Sequence, residues 1–326
     1  MPTKNDSTKT NQSSAKNTYD IAIIGTGGSG IAAAIYAARF NLKTVVIGEK
    51  YGGLIVDTHL VENYPGFVRL SGYDLMQEFK KHVDDYKDKV TLLDASAQHT
   101  KKTKNGFEIE TSEGNVTARA IILATGTERR KLNVPGEKEY TNKGVSYCAT
   151  CDSPLFKNKV VGIVGGSDSA VKEGLLLSEY ASKVYVIYRG KEVHAEPINL
   201  TRLQKAKNVE VITNTNVVEI KGEKFITHAI LDKPFQGKKE LPVGGLFIEI
   251  GHIVRNELAK ELGVALDEKG EIIVDKNSNT NIEGVFSAGD VTNREWKQLI
   301  TGVAEGCVAA WSAYEFLNGN STREKK

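Results

Sequence analysis

Asp20-Ile21-Ala22-Ile23-Ile24-Gly25-Thr26-Gly27-Gly28-Ser29-Gly30 decides how the rest of this chain is read. Residues 20–24 read as a short buried strand, and the Ala-rich stretch from Gly30 to Phe40 reads as a helix. A second strand, Thr44 to Ile47, completes a βαβ unit. In that setting each glycine has a physical task. Gly25 permits a tight turn, Gly27 lets backbone N–H groups approach a pyrophosphate, and Gly30 lets the helix pack closely on the sheet. The N-terminus of the helix favours the anion. Glu49 ends the second strand at roughly the 20-residue spacing where an acid accepts hydrogen bonds from a ribose. A lone G-x-G-x-x-G could be a plain loop, but strand, turn, helix and acid in this order describe a dinucleotide site.

The same series recurs. A strand over Val160–Val164 leads into Gly165-Gly166-Ser167-Asp168-Ser169-Ala170, a helix over Ser169–Ser182 and a strand over Val184–Tyr188. Two such units imply two cofactors. Two further strands, Ala120 to Ala124 and Gly284 to Ser287, run into Thr125-Gly126-Thr127 and Ala288-Gly289-Asp290, turn residues placed where a ligand can approach strand ends. The expected fold is α/β, with two Rossmann-like dinucleotide-binding domains, the second inserted into the first. The outer domain is expected at 19–126 and 247–317 and the inserted one at 127–246. Residues 1–18 read as a disordered tail and 318–326 as a flexible end.

Composition narrows the function. The chain has 326 residues, 40% hydrophobic and 26% charged, enough to bury the cores of two ordinary domains. Lys plus Arg at 43 against Asp plus Glu at 41 leaves a charge of +2, with no sign of the basic face that nucleic acid requires. The tail is rich in Lys, Asn, Ser and Thr and does not read as a signal peptide, and no run of about 18 apolar residues reads as a membrane span. A cytoplasmic protein is expected.

Three cysteines are too few for a disulfide scaffold, yet two form Cys148-Ala149-Thr150-Cys151 immediately before the second unit. A structural zinc site needs four ligands, and the remaining Cys307 is isolated in an apolar small-residue helix, Gly302–Tyr314, where it reads as a core thiol. No metal is expected on that arithmetic. Two thiols this close can close a small disulfide ring, and a thiolate with a lowered pKa can attack a partner's disulfide. Asp152 follows as a possible acid-base residue, with a turn or N-cap role as the alternative.

The fingerprint Gly25–Gly30, Gly52-Gly53 with Val61-Glu62-Asn63-Tyr64-Pro65-Gly66, Ala124-Thr125-Gly126, Cys148–Asp152, Gly165–Ala170, and Ala288-Gly289-Asp290 with Lys297-Gln298 together resemble the low-molecular-weight thioredoxin reductase family, its archaeal members in particular. The resemblance covers nearly the whole chain after the tail. It implies that the outer domain binds FAD, that the inserted domain binds NADPH, and that the dithiol lies beside the flavin. Implied FAD residues are Gly25, Thr26, Gly27, Gly28, Ser29, Gly30, Glu49, Gly52, Gly53, Leu54, Asn63, Thr125, Gly126, Gly289, Asp290, Lys297, Gln298 and Leu299. Gly289 and Asp290 would hold the ribityl chain and pyrophosphate, and Lys297, Gln298 and Leu299 would begin a helix aimed at the ring. Cys151 would face the flavin, Cys148 would attack the protein substrate, and Asp152 would be the acid-base residue. The implied partner is thioredoxin or a thioredoxin-like or glutaredoxin-like dithiol protein, and the implied assembly is a homodimer.

The chain departs from the family pattern in its second fingerprint. Implied NAD(P) residues are Gly165, Ser167, Asp168, Ser169, Arg189 and Lys191, but Ser167 stands where a glycine lets the pyrophosphate come close. In Tyr188-Arg189-Gly190-Lys191-Glu192-Val193-His194, Gly190 and His194 replace two arginines, which removes most of a bidentate clamp on a 2′-phosphate. Arg189 and Lys191 read equally as a weaker point-charge site or as a solvated loop. Leu54 replaces a common glutamine, Ser153 a glycine, and Val254 a proline. His252 and Trp296 have surface and packing explanations as well as functional ones. The donor therefore stays open among NADPH, NADH, a reduced deazaflavin and ferredoxin. A flavin-binding redox sensor without turnover is the alternative from another class. A ferredoxin–NADP reductase is disfavoured, because that chemistry has no use for the dithiol.

Overall fold

The side chains of Ile21, Ala22, Ile23 and Ile24 are all buried, without the in-out alternation of a half-exposed strand, so the first strand is covered on both faces. The computed structural model describes residues 18–320 and 322. Thr18 opens that strand, Thr18–Ile24. The rest of the expected amino-terminal tail, and residues 321 and 323–326 of the expected flexible end, lie outside the described residues.

The described residues divide into two compact units: those up to 56, 61–127 and those from 254 onward form the first, and 57–60 with 128–253 form the second. In the first unit, Val90–Leu93, Thr44–Ile47, Thr18–Ile24, Gly114–Leu123 and Val285–Ser287 lie side by side as a parallel sheet. Gly106–Thr111 and Ala97–Thr103 extend it antiparallel from the outer half of Gly114–Leu123. The first helix, Gly28–Arg39, and the last, Leu299–Leu317, cover one face with a core of Ile21, Ile23, Ile31, Ala34, Ile122, Ala309 and Ala313. A Cβ on Gly306 would lie 2.1 Å from the Ser29 carbonyl oxygen, so the two helices touch backbone to backbone. Phe40 stacks on Tyr314 at 4.7 Å near their other ends. The two helices therefore run in the same direction, and their N-termini meet.

The second unit repeats the plan. Val209–Ile212, Lys183–Ile187, Val160–Val164, Gly245–Ile248 and Val145–Ser146 form a five-stranded parallel sheet, and a three-stranded antiparallel sheet, Val217–Gly222, Ile226–Phe235 and Lys238–Pro242, accompanies it. Its helix is Asp168–Ser178, four residues shorter at its end than the sequence suggests. The chain turns after Ser178, where the Tyr180 carbonyl accepts from Asn158 N–H rather than continuing the helix. A larger correction concerns the end of the inserted segment, which the sequence placed at 246. Gly245–Ile248 pairs with Val160–Val164, so these residues complete the second unit's sheet and the chain returns to the first unit only at 253/254.

Candidate active site

In the first unit the turn Gly25–Gly30 is built of close approaches. Gly25 has φ +123°, and a Cβ there would lie 2.0 Å from the Ala124 carbonyl oxygen, beside Thr125. A Cβ on Gly30 would lie 1.9 Å from Gly25 O. Gly27 is different: it is the N-cap of the first helix, and a Cβ there would meet only Gly52 O, at 3.9 Å. That room, together with a first turn holding no acidic residue and no side-chain cap, fits an incoming pyrophosphate. Gly52 and Gly53 have φ of +92° and +66° and bring the chain back against this turn, where Gly52 N–H donates to Thr26 O at 2.8 Å. The Thr26 hydroxyl is engaged by Lys50 O, so this residue shapes the turn. Glu49 is exposed just past the second strand, and Leu54 lies in a 3₁₀ turn, Gly53–Asp57.

The start of the last helix joins the same place. Leu299 packs over Gly28, and Ser29 Oγ sits between Gly289 and Gly302. Gln298 caps the helix in a reciprocal box with Thr301, and its Oε1 accepts from Asn63 Nδ2 at 3.1 Å, joining two expected site residues 235 positions apart. Gly289 N–H donates to Glu305, whose carboxyl is pushed up by burial. Lys297 Nζ is held by Glu271, Asp290 O and Thr292 O, so its charge braces the loop that carries the exposed Asp290. Thr125 Oγ1 donates to Arg255 O, and Gly126 O accepts from Arg255 N–H, so both stand where the chain crosses between units. Two helix N-termini over a glycine cradle fit FAD, whose pyrophosphate would take Gly27 to Gly30.

In the second unit Cys148 and Cys151 are joined by a disulfide, with Cα atoms 5.3 Å apart. Cys148 caps the short helix Ala149–Asp152, and its sulfur accepts from Cys151 N–H at 3.2 Å. Asp152 makes no side-chain cap. Its carboxylate accepts from Ser146 Oγ at 2.6 Å, and Ser146 Oγ accepts from Cys148 N–H, so a hydroxyl links acid and cysteine. Ser153 is buried and donates to Ala149 O.

Below this helix lies a group of side chains to which the motifs gave no clue. Arg129 donates to Tyr147 O and pairs with Glu249, and it stands 3.7 Å from Asp57 and 3.8 Å from Glu173. Glu173 accepts from Ala149 N–H, and its Oε2 is buried with no partner. Burial, then the charge of Glu249, push the Glu173 carboxyl up to about 9 against the pull of Arg129. Burial works against the Arg129 charge, but Glu249, Glu173 and Asp57 together hold its pKa above the ordinary value. The two backbone groups flanking Cys148 are thus tied to one buried cluster. A signal for Glu173 was present but not read: 170, 173, 174 and 177 fall on one helix face, three of them buried and apolar or glycine. Asp57, 91 positions before Cys148, carried no such mark.

The second glycine turn is built differently from the first. Gly165 makes the turn, with φ +151°. Over Gly166, however, lies the ring of Tyr188, 2.4 Å from where a Cβ would be, and His194 N–H donates to Gly166 O at 2.6 Å. Ser167 is exposed at the N-cap, bridged to His194, followed by Ser169 in the first turn. Asp168 is engaged by Glu196 N–H and Asn199 Nδ2. Arg189 and Lys191 are exposed. Cys307 is half-buried, and burial pushes its thiol up. His252 lends its carbonyl to Arg130, and Trp296 is exposed.

Two parallel-sheet dinucleotide units with a cystine beside the second define a two-domain disulfide oxidoreductase. A family model described as pyridine nucleotide-disulphide oxidoreductase matches residues 19–306. Thioredoxin reductase of Peptoclostridium acidaminophilum is 37% identical over 317 residues, 94% of this chain and 99% of that protein. The F component of alkyl hydroperoxide reductase from Escherichia coli is 38% identical over 307 residues, 93% of this chain but 59% of that longer protein. The crystal structure of Lactococcus lactis thioredoxin reductase in its FR conformation superposes with a TM-score of 0.88 at 34% identity, covering 92% of this chain and 99% of that one. The chain belongs to the pyridine nucleotide-disulphide oxidoreductase family and, within it, to the low-molecular-weight thioredoxin reductases. Among the described residues no helix is long and apolar enough to cross a membrane.

Proposed function

We propose that this protein is an FAD-dependent reductase that uses Cys148–Cys151 to reduce thioredoxin or a similar thioredoxin-like or glutaredoxin-like dithiol protein, as a homodimer in the cytoplasm. The observation that carries this reading is the disulfide at the start of a short helix, where the Cys148 sulfur already accepts an amide hydrogen bond. Such a bond favours the thiolate. FAD, when bound, supplies the two electrons that reduce the disulfide. The Cys148 thiolate then attacks the partner's disulfide, forming a mixed disulfide and releasing one partner thiolate. Asp152, joined to Cys148 through Ser146, takes the proton that the Cys148 thiol gives up on becoming a thiolate and passes it to that partner thiolate. Cys151 attacks the Cys148 sulfur, expels the second partner thiolate and restores the Cys148–Cys151 bond.

For the donor, we propose one that does not depend on a 2′-phosphate clamp. Tyr188 over Gly166, the strap bonded through His194 and the missing arginines support this reading. Steady-state assays with NADPH, NADH, reduced deazaflavin and reduced ferredoxin, each reading thiols formed on a thioredoxin, test both parts. Turnover that is lost in Cys148→Ser supports the reductase, and selective activity with NADPH at micromolar KM would refute the donor reading. Flavin reduction without turnover on any dithiol protein would favour the redox sensor.

A further inference from the structure

Folding brings a third metal-binding side chain to the dithiol. One carboxylate oxygen of Asp57 and the sulfurs of Cys148 and Cys151 all lie within 4.8 Å of one another, and all three residues belong to the second unit. We propose that the reduced dithiol and Asp57 form a zinc site that switches the reductase off. The inference rests on the redox-active dithiol of the proposed function and adds a regulatory ligand to it.

Zinc takes four ligands in a tetrahedron, with Zn–S about 2.3 Å and Zn–O about 2.0 Å, which sets neighbouring ligand atoms roughly 3.3–3.8 Å apart. The two cysteines have the C-x-x-C spacing common in such sites, and their Cα separation of 5.3 Å lets both sulfurs face one ion once the disulfide opens. From within 4.8 Å the carboxylate reaches that ion with a movement of about 1 Å. Water completes the set. Arg129, 3.7 Å from Asp57, supplies the outer partner that orients a ligating carboxylate. Two thiolates with one carboxylate select zinc over magnesium or calcium, which prefer oxygen alone.

The disulfide form offers no thiolate, so the site exists only after reduction. Binding displaces two thiol protons, forms two Zn–S bonds and transfers no electrons. While it lasts, neither sulfur can attack a partner disulfide. The expectation of no metal was drawn for a four-ligand structural site. A carboxylate 91 positions upstream is invisible to cysteine spacing.

The test uses full-length protein reduced anaerobically with a phosphine, so that it does not depend on the electron donor, and titrated with cobalt(II) or zinc(II) alone. Reduced wild type is expected to bind one cobalt with the visible bands of a tetrahedral thiolate site, displaced by zinc, and the disulfide form is expected to give none. Asp57→Asn should weaken binding about ten- to hundredfold, and Cys307→Ser should leave it unchanged. X-ray absorption of the zinc-loaded wild type should show two sulfur ligands with oxygen in the remainder. Equal binding by the oxidised protein, by Asp57→Asn, or no binding at micromolar metal would overturn the site. A protein that binds zinc as described but reduces no dithiol protein would refute the proposed function and leave the site standing.

Discussion

Replacing Glu173 with glutamine is expected to stabilise the protein at neutral and alkaline pH and to do nothing of the kind in acid. The Glu173 side chain is 15% exposed, with Oε2 buried and unpartnered, and its carboxyl titrates at about 9 instead of 4.5. Its folded-state pKa is raised, so between these values the folded state holds a proton that the unfolded state releases. Stability from this group is therefore greatest below about pH 4.5 and falls as pH rises toward 9. At pH 7 the unfolded acid lies about 2.5 units past its midpoint, and at about 1.4 kcal/mol per unit the cost is roughly 3 kcal/mol. Glutamine is neutral throughout, still accepts from Ala149 N–H, and offers its amide N–H to Glu249 as the protonated acid does. The variant should match wild type near pH 4.5 and gain roughly 5 kcal/mol at pH 8, where the unfolded acid lies about 3.5 units past its midpoint, seen as a Tm higher by about 5–10 °C. Paired thermal melts at the two pH values give the answer. A Tm difference that does not change with pH, or a variant less stable at pH 8 than at pH 4.5 relative to wild type, would show that Glu173 is ionised in the folded protein.

Gly27→Ala should fold normally but retain at most about a tenth of the FAD, because its methyl meets no protein atom closer than 3.9 Å yet fills the pyrophosphate's approach, while Gly30→Ala, 1.9 Å from Gly25 O, should lower the Tm of flavin-free protein as well; flavin content and melting of both separate the effects. Cys307→Ser should leave disulfide reductase activity unchanged, and timed alkylation with mass spectrometry should find Cys307 modified more slowly than reduced Cys148, since burial raises its pKa. Gly190→Arg with His194→Arg alone should not create NADPH preference, because a Cβ at 190 meets the Tyr188 ring at 2.5 Å. Adding Tyr188→Ala should raise kcat/KM for NADPH over NADH about tenfold or more, and kinetics with both cofactors checks it.

The strands beneath both glycine turns were legible because each is a run of buried apolar residues closed by glycine. Thr44–Ile47 and Val160–Val164 fall where the sequence puts them. Gly25 and Gly30 were readable for the same reason, since a side chain at either position would enter the backbone. The end of the inserted segment was not readable. Leu246-Phe247-Ile248 is as apolar as any strand of either sheet, and only its pairing with Val160–Val164 assigns it. Lys297 could be placed by its motif, but its surroundings could not. Three oxygens that surround its ammonium come from Glu271, Asp290 and Thr292, and spacing along the chain does not bring these together. Tyr188 could be read as a strand end but not as a lid on Gly166, because a side chain's direction across a turn depends on the strap from 190 to 194. Asp57, Arg129 and Glu249 became neighbours of the dithiol only through folding.

Anaerobic reductive titration of the purified yellow protein, followed by visible absorbance and thiol count, tests the electron path most directly. Flavin and disulfide are each two-electron acceptors. Wild type should therefore take up about twice the reductant that Cys148→Ser requires to bleach, and it should gain two thiols per chain as it does so. Equal uptake by the two proteins, or a folded wild type that carries no flavin even after reconstitution with FAD, would contradict the account.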